Sequence, residues 1–277
     1  MPLPREVDDV VNAYLRRVDA AAPGLVGGLY LTGSVALDDF RPGRGIARWG
    51  PSGADVSDVD FVAVTDRTPD DDALATLGRV HADLRRPRSR PSFDGLYVTW
   101  DDLARDPAEV TGRPQTHGGH LDRSGAAHPV LWQEMADHAI AVRGPHRSAL
   151  PVRTDRERLA AWVRGNLDGY WRRWHSDATR TLSPAALVGL TRWGPTWGVL
   201  GVARLHHTIC TGGICSKSAG GAHARERFGP AWHRIVDECL HIRRGSPHWS
   251  AYRTPLARRR DALAFVDTVI EDGVRGA

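Results

Sequence analysis

Lysine is almost absent from this 277-residue chain: Lys217 stands alone among 37 basic side chains, every other one being arginine. A coding preference for arginine accounts for the depletion but not for the place of the survivor. Cysteine is scarce as well. Cys210, Cys215 and Cys239 are odd in number and contain no Cys-x-x-Cys pair, which excludes an even disulfide framework and a cysteine-paired metal knuckle, and leaves packing thiols as the expectation. No run reaches the roughly 20 apolar residues of a membrane span. The first residues lack the basic start, apolar centre and small-residue cleavage site of a secretory leader, so a cytoplasmic protein with no membrane partner is expected. Charge of one sign is missing too: 37 Lys and Arg against 33 Asp and Glu give a net +4, too mild an excess for the basic stripe of a nucleic-acid binder. Acids themselves are absent from Ala178 through Arg225. Repeats and low-complexity tracts are lacking.

What is present reads as two domains, residues 1–150 and 151–277, a division that the length permits. Val7, Val10, Val11, Tyr14, Leu15 and Val18 recur at spacings of three and four, predicting a helix over Arg5–Ala21 after Pro4. Asp70, Asp71 and Asp72 precede a second helix, Ala73 to Leu84, where acids favour the helix start. A third is expected from Trp132 to Ala141, closed by Val142-Arg143-Gly144-Pro145. After Pro151 the texture becomes long amphipathic stretches: Arg156 to Trp174, Pro184 to Thr211, Pro230 to Ile242 and Pro255 to Val274. The tryptophans of this half, Trp162, Trp171, Trp174, Trp193, Trp197 and Trp232, are expected mainly as packing aromatics.

The chemistry sits in the first half. Leu29-Tyr30-Leu31-Thr32 runs into Gly33-Ser34, and Asp58-Val59-Asp60 opens Phe61-Val62-Ala63-Val64. Strand side chains alternate, so two carboxylates separated by one valine share a face and can grip one cation. Magnesium prefers such oxygens and is commonly held by one or two carboxylates plus substrate phosphates. Glycine lets a backbone approach those phosphates, and the serine hydroxyl can hydrogen-bond one. Asp94 begins a third strand-like run, Asp94 to Trp100, and supplies the further carboxylate that nucleotidyl transfer needs. His117-Gly118-Gly119-His120 and His206-His207 show no i, i+4 pair with a glutamate and no cysteine at zinc-site spacing, so solvated loop and helix-surface histidines are expected there.

On these motifs the chain resembles the nucleotidyltransferase superfamily, and along nearly its whole length the aminoglycoside adenylyltransferase branch of streptomycin and spectinomycin type. The resemblance implies an α+β fold: an N-terminal mixed β-sheet with flanking helices and a C-terminal α-helical bundle. The family's third acid is a glutamate followed by an Asp-Asp-Ile step; here Asp94 precedes Asp101-Asp102-Leu103 and is one methylene shorter. It either ligates the second metal or takes the proton from the attacking hydroxyl, and the resemblance favours the base. Arg204 to Gly212 resembles the family's Arg-Ile-Trp-Tyr-x-x-x-Thr-Gly helix end, and Lys217 follows five residues later. The resemblance gives Arg204 and Lys217 the nucleotide phosphates, across a cleft between the two domains. It also implies Mg2+, and ATP as co-substrate.

Two departures concern the acceptor. Twenty-four positions separate Ser34 from Asp58, about twice the family's gap, which reads as a loop insertion around Gly43 to Ala54. The family's drug-reading acids align with Gly194-Pro195-Thr196-Trp197, and its interdomain tryptophan falls near His120. Asp168, Asp177 and the Asp38-Asp39 pair are possible substitutes, each expected as a solvated carboxylate. The leading expectation is transfer of AMP from ATP to a hydroxyl of a small, aminoglycoside-like antibiotic. Adenylylation of a protein hydroxyl by a toxin-like enzyme, and a nucleotide sensor without turnover, are the alternatives.

Overall fold

A computed structural model describes residues 2–42, 56–85, 91–180, 183–245 and 249–276. The insertion expected around Gly43 to Ala54 lies outside the described residues. The chain divides into two compact units, the first ending at Asp155 and the second beginning at Arg156.

In the first unit, α1 (Arg5–Ala21) is followed by β1 (Gly28–Thr32), one helical turn α2 (Gly33–Ala36), β2 (Val59–Thr65), α3 (Asp71–Arg85), β3 (Phe93–Thr99) and the short α4 (Trp100–Leu103). The hairpin β4 (Thr111–His117) and β5 (His120–Ala126), α5 (Pro129–Asp137) and β6 (Ile140–Arg143) complete it. The strands form one sheet in the order β5-β4-β3-β2-β1-β6. Only β2 and β3 run parallel; the other neighbours are antiparallel.

Strand alternation sorts the core into two layers. Leu29, Leu31, Val59, Phe61, Ala63, Phe93 and Tyr97 pack with Val7, Val10, Tyr14 and Val18 of α1 and Leu77 and Val80 of α3. There Phe61 and Phe93 stack at 4.3 Å, and Tyr97 joins the hydroxyl of Tyr14 at 2.8 Å and Nε2 of His81 at 2.7 Å. Burial pushes His81 down to about 4, so its imidazole stays neutral. On the opposite face Tyr30, Val62, Val64, Leu96 and Val98 pack with Trp132 and Met135 of α5. Both faces being covered explains why β2 is buried at six of its seven positions.

The helix expected from Trp132 to Ala141 instead runs Pro129–Asp137 and gives way to strand β6. Leu31 pairs with Ile140 and Tyr30 with Ala141, so pairing with β1 overrides the local pattern.

In the second unit α6 (Arg156–Asn166) passes through a π turn, Leu167–Trp171, into α7 (Arg172–Thr179). Then come α8 (Pro184–Leu190), α9 (Trp193–Thr211), α10 (Lys217–Phe228), α11 (His233–Arg243) and α12 (Pro255–Arg275). The central α9 is buried along most of its length. Gly198 and Gly201 leave room for the rings of Trp174 and Trp171, where a Cβ would approach to 2.8 and 2.6 Å. Trp171 and Trp197 lie 4.5 Å apart between ring centres, and Trp193 stacks on Trp197 at 5.5 Å. Trp171, Trp174, Trp193 and Trp197 pack on one another, and Trp232 packs on Phe265. Among the described residues no helix is long and apolar enough to cross a membrane.

Candidate active site

The end of β1 and the beginnings of β2 and β3 meet at one end of the sheet. Thr32 pairs with Asp60, and Asp60 pairs with Asp94. Register partners on adjacent strands point to the same face, so Asp60 and Asp94 stand side by side. They share the phase of Val62, Val64, Leu96 and Val98, the layer that α5 covers. Asp58 stands one position before β2 and is half-buried, like Asp60.

The chain turns over this edge at Gly33, whose φ of +62° lies in the region that side chains disfavour. A Cβ there would fall on the Asp60 carboxylate, inside van der Waals contact with Oδ2. Glycine is therefore required twice, by dihedral and by space. Replacing it with alanine should destabilise the fold by about 1–3 kcal/mol and displace Asp60. Urea unfolding and ATP turnover on the same preparation measure both losses.

Ser34 follows, with Oγ buried and without a hydrogen-bond partner among the described residues. An unsatisfied buried hydroxyl carries a desolvation cost, and a ligand oxygen or cation at this sheet end would relieve it. Asp94 is 7% exposed. Its Oδ1 accepts the Gly118 N–H at 2.8 Å, its Oδ2 accepts the Ser92 hydroxyl at 2.9 Å, and His117 Nδ1 lies 3.6 Å away. The hairpin turn at Gly118-Gly119 thus holds the third acid from outside. His117 and His120, on either side of that turn, are exposed as expected.

Sequence reasoning missed Glu134. It lies on α5, 8% exposed, and its Oε1 accepts the N–H of Gly33. A carboxylate on the backbone of the glycine-serine turn is the signal that only the folded chain reveals, since the two residues are 101 positions apart. The Asp-Asp-Leu step acts locally, because Asp102 closes a capping box with Thr99 and receives Arg113 through two bonds of 2.7 and 2.6 Å.

In the second unit, residues 176–270 match the family model of the aminoglycoside adenylyltransferase C-terminal domain. The chain is aminoglycoside adenylyltransferase-like. By that domain match it is an enzyme of nucleotidyltransferase type. Its fold is also that of the spectinomycin adenyltransferase AAD(9) from Enterococcus faecialis, solved with ATP and spectinomycin. The TM-score is 0.63 over 96% of this chain and 99% of that one, at 11% identity. No curated protein sequence matches.

In this adenylyltransferase-like chain Arg204 is exposed on α9 and Lys217 is half-buried as the first residue of α10. The two helices approach closely: a Cβ on Gly220 would lie 2.8 Å from the backbone nitrogen of Arg204. Of the substitute acids, only Asp39 departs from the expected solvated carboxylate. Asp39 is buried, not solvated, and lies 3.5 Å from Arg41. Asp168 and Asp177 are exposed, in ion pairs with Arg172 at 2.8 Å and Arg180 at 3.5 Å. His206, expected on a helix surface, is 0% exposed, because α10 and α12 cover that side of α9. Of the three thiols, Cys215 and Cys239 are buried and Cys210 is exposed.

Proposed function

We propose that this enzyme transfers AMP from ATP, with Mg2+, to a hydroxyl of a small acceptor of the aminoglycoside-antibiotic class. The observation that carries the nucleotidyl-transfer reading is the sheet end itself. Asp60 lies over Gly33, Asp94 is register-paired beside it, and Ser34 offers a buried hydroxyl with no other partner among the described residues. The half of the chain up to Asp155 is the nucleotidyl-transfer domain in this reading, and the helical half supplies cations for the phosphates.

The donor set has the chemistry a hard cation takes, and an ion with its triphosphate would draw Asp58, Asp60 and Asp94 closer together than the fold alone holds them. Asp58 and Asp60 would hold it, with Asp94 adjoining, and carboxylate oxygens are the ligands magnesium takes. Bound there, the ion neutralises triphosphate charge and aligns an in-line displacement. Ser34 donates to a phosphate oxygen, and Gly33 keeps backbone and Asp60 close enough for both to meet one ligand. Asp94 acts as the base toward the acceptor hydroxyl. Its oxygens already take Gly118 and Ser92, and a carboxylate oxygen has a further lone pair for a third donor.

The aminoglycoside class of the acceptor rests on the C-terminal domain match. Tyr170, 46% exposed at the edge of the Trp171–Trp197 cluster, offers a ring face of the kind such polycations use. The test is radiolabelled ATP with the purified chain, a panel of aminoglycosides including spectinomycin and streptomycin, and bulk protein acceptors. Label on a drug with pyrophosphate release supports the proposal. Label on protein supports the toxin-like alternative, and tight ATP binding without turnover the sensor.

Arg204 and Lys217 are proposed as phosphate cations, on their match to the family's arginine and lysine. Lys217→Ala should weaken ATP binding about tenfold, the equivalent of roughly 1.5 kcal/mol for a hydrogen bond to a charged group. Calorimetric ATP titration with Mg2+ reads it, and an unchanged affinity would make the solitary lysine an accident of composition.

A further inference from the structure

The second unit contains a cluster that AMP transfer does not use. His206 and Cys210 stand four residues apart on one face of α9, and His223 faces them from α10. Nδ1 of His206 lies 2.9 Å from Nε2 of His223 and 3.6 Å from Sγ of Cys210. All three ligand atoms fall within 4.8 Å of one another, and this is the only such His, Cys, Asp or Glu group among the described residues. Zinc bonds of about 2.3 Å to sulfur and about 2.0–2.1 Å to nitrogen, at a tetrahedral angle, imply a sulfur–nitrogen separation near 3.6 Å. The His206–Cys210 spacing has that value before any ion is added.

The surroundings are those of a metal-binding histidine. Nε2 of His206 lies 2.7 Å from Oδ2 of Asp272 on α12. A carboxylate there fixes the tautomer with the proton on Nε2 and turns the Nδ1 lone pair toward the cluster. Arg227, 3.1 Å from Asp272, offsets one negative charge; His207 and Arg164 are the other cationic or titratable groups acting on the cluster.

We propose that His206 Nδ1, Cys210 Sγ and His223 Nε2 form a binding site for a borderline transition-metal ion of the Zn2+ class. Three protein ligands leave the fourth position to water, on the side where Cys210 is exposed. On binding, Cys210 gives its thiol proton to solvent and the thiolate takes the ion. His223 moves its ring proton to Nδ1, which frees the Nε2 lone pair. The hydrogen bond between the two histidines is replaced by two metal bonds. The ion then ties α9 to α10, the helices that carry Arg204 and Lys217, with α12 held through Asp272.

Titration of the reduced, chelator-treated full-length protein with Zn2+, against a chromophoric chelator, should give one equivalent bound with a rise in Tm. Co2+ in its place should give a thiolate-to-cobalt charge-transfer band. Cys210→Ser should abolish that band and weaken Zn2+ binding at least tenfold. His223→Ala should weaken it similarly, while Asp272→Asn keeps the band and lowers affinity ten- to a hundredfold. Cys210 is exposed and His223 only half-buried, so both variants are expected to fold, which unfolding curves without metal verify. Absence of stoichiometric binding, or binding that neither Cys210→Ser nor His223→Ala changes, overturns the proposal and leaves a hydrogen-bonded His–His–Asp chain. Because binding is read without ATP or acceptor, this outcome is independent of the AMP-transfer reading.

Discussion

Asp58→Asn or Asp60→Asn is expected to abolish AMP transfer while leaving a folded protein. In the proposed site each substitution would remove one negative oxygen ligand from the place where a divalent ion would meet the triphosphate. Loss of several kcal/mol of charge stabilisation amounts to a fall of roughly 10³-fold or more at 1.4 kcal/mol per decade. Metal-dependent ATP binding should fall in parallel. Asparagine keeps the shape of aspartate, and both positions are half-buried rather than sealed in the core, so the urea midpoint should stay close to that of the parent. Turnover is measured by pyrophosphate release with the best acceptor of the panel. Near-parental turnover in either folded variant sinks the metal assignment.

Asp94→Asn has a different signature. A base contributes in the transition state, so kcat should drop about 10²–10⁴-fold while ATP affinity holds. Asparagine retains an acceptor for the Gly118 N–H and can donate to the Ser92 oxygen, so the hairpin turn has its anchor in the variant as well. Single-turnover kinetics and ATP titration separate the effects. Equal losses of ATP binding and rate would make Asp94 a metal ligand first, and an unchanged rate would move the search for the base to another acid.

Much of the first unit was legible. The helix from Arg5 to Ala21 has the bounds its apolar spacing predicts, and β1, β2 and β3 fall on the runs around Leu29, Phe61 and Asp94. The hairpin β4–β5 was not. Its residues, Thr111–His117 and His120–Ala126, are largely polar, and β5 is mostly exposed at the sheet edge; strands with so little to bury leave little periodicity to read. Helix α10 escaped as well. Lys217–Phe228 contains Gly220 and Gly221, poor helix formers in isolation, whose missing side chains are what allows close packing on Arg204 and against Leu200 and Leu240. The single stretch expected from Pro184 to Thr211 breaks at Thr191-Arg192, and α9 restarts at Trp193 with Pro195 in its first turn. Proline is tolerated there because the first turn's N–H groups have no helical acceptor.

What the sequence determined by itself is the chemistry on offer and the phase in which it is offered. Alternation along a strand is local, so Asp60 shares a face with Val62 and Val64 wherever β2 is placed, although Asp58 falls one position before the strand, and a glycine before Ser34 marks a turn whatever it turns over. Tertiary structure alone decided which groups meet. Pairing of β2 with β3 set Asp94 beside Asp60, α5 brought Glu134 onto the Gly33 N–H, and the turn of β4–β5 delivered Gly118 to Asp94. Packing of α9, α10 and α12 turned His206 inward toward His223, Cys210 and Asp272. Those contacts join residues up to 101 positions apart. They depend on which faces must be buried together, and that choice is made by the whole core rather than by any local run.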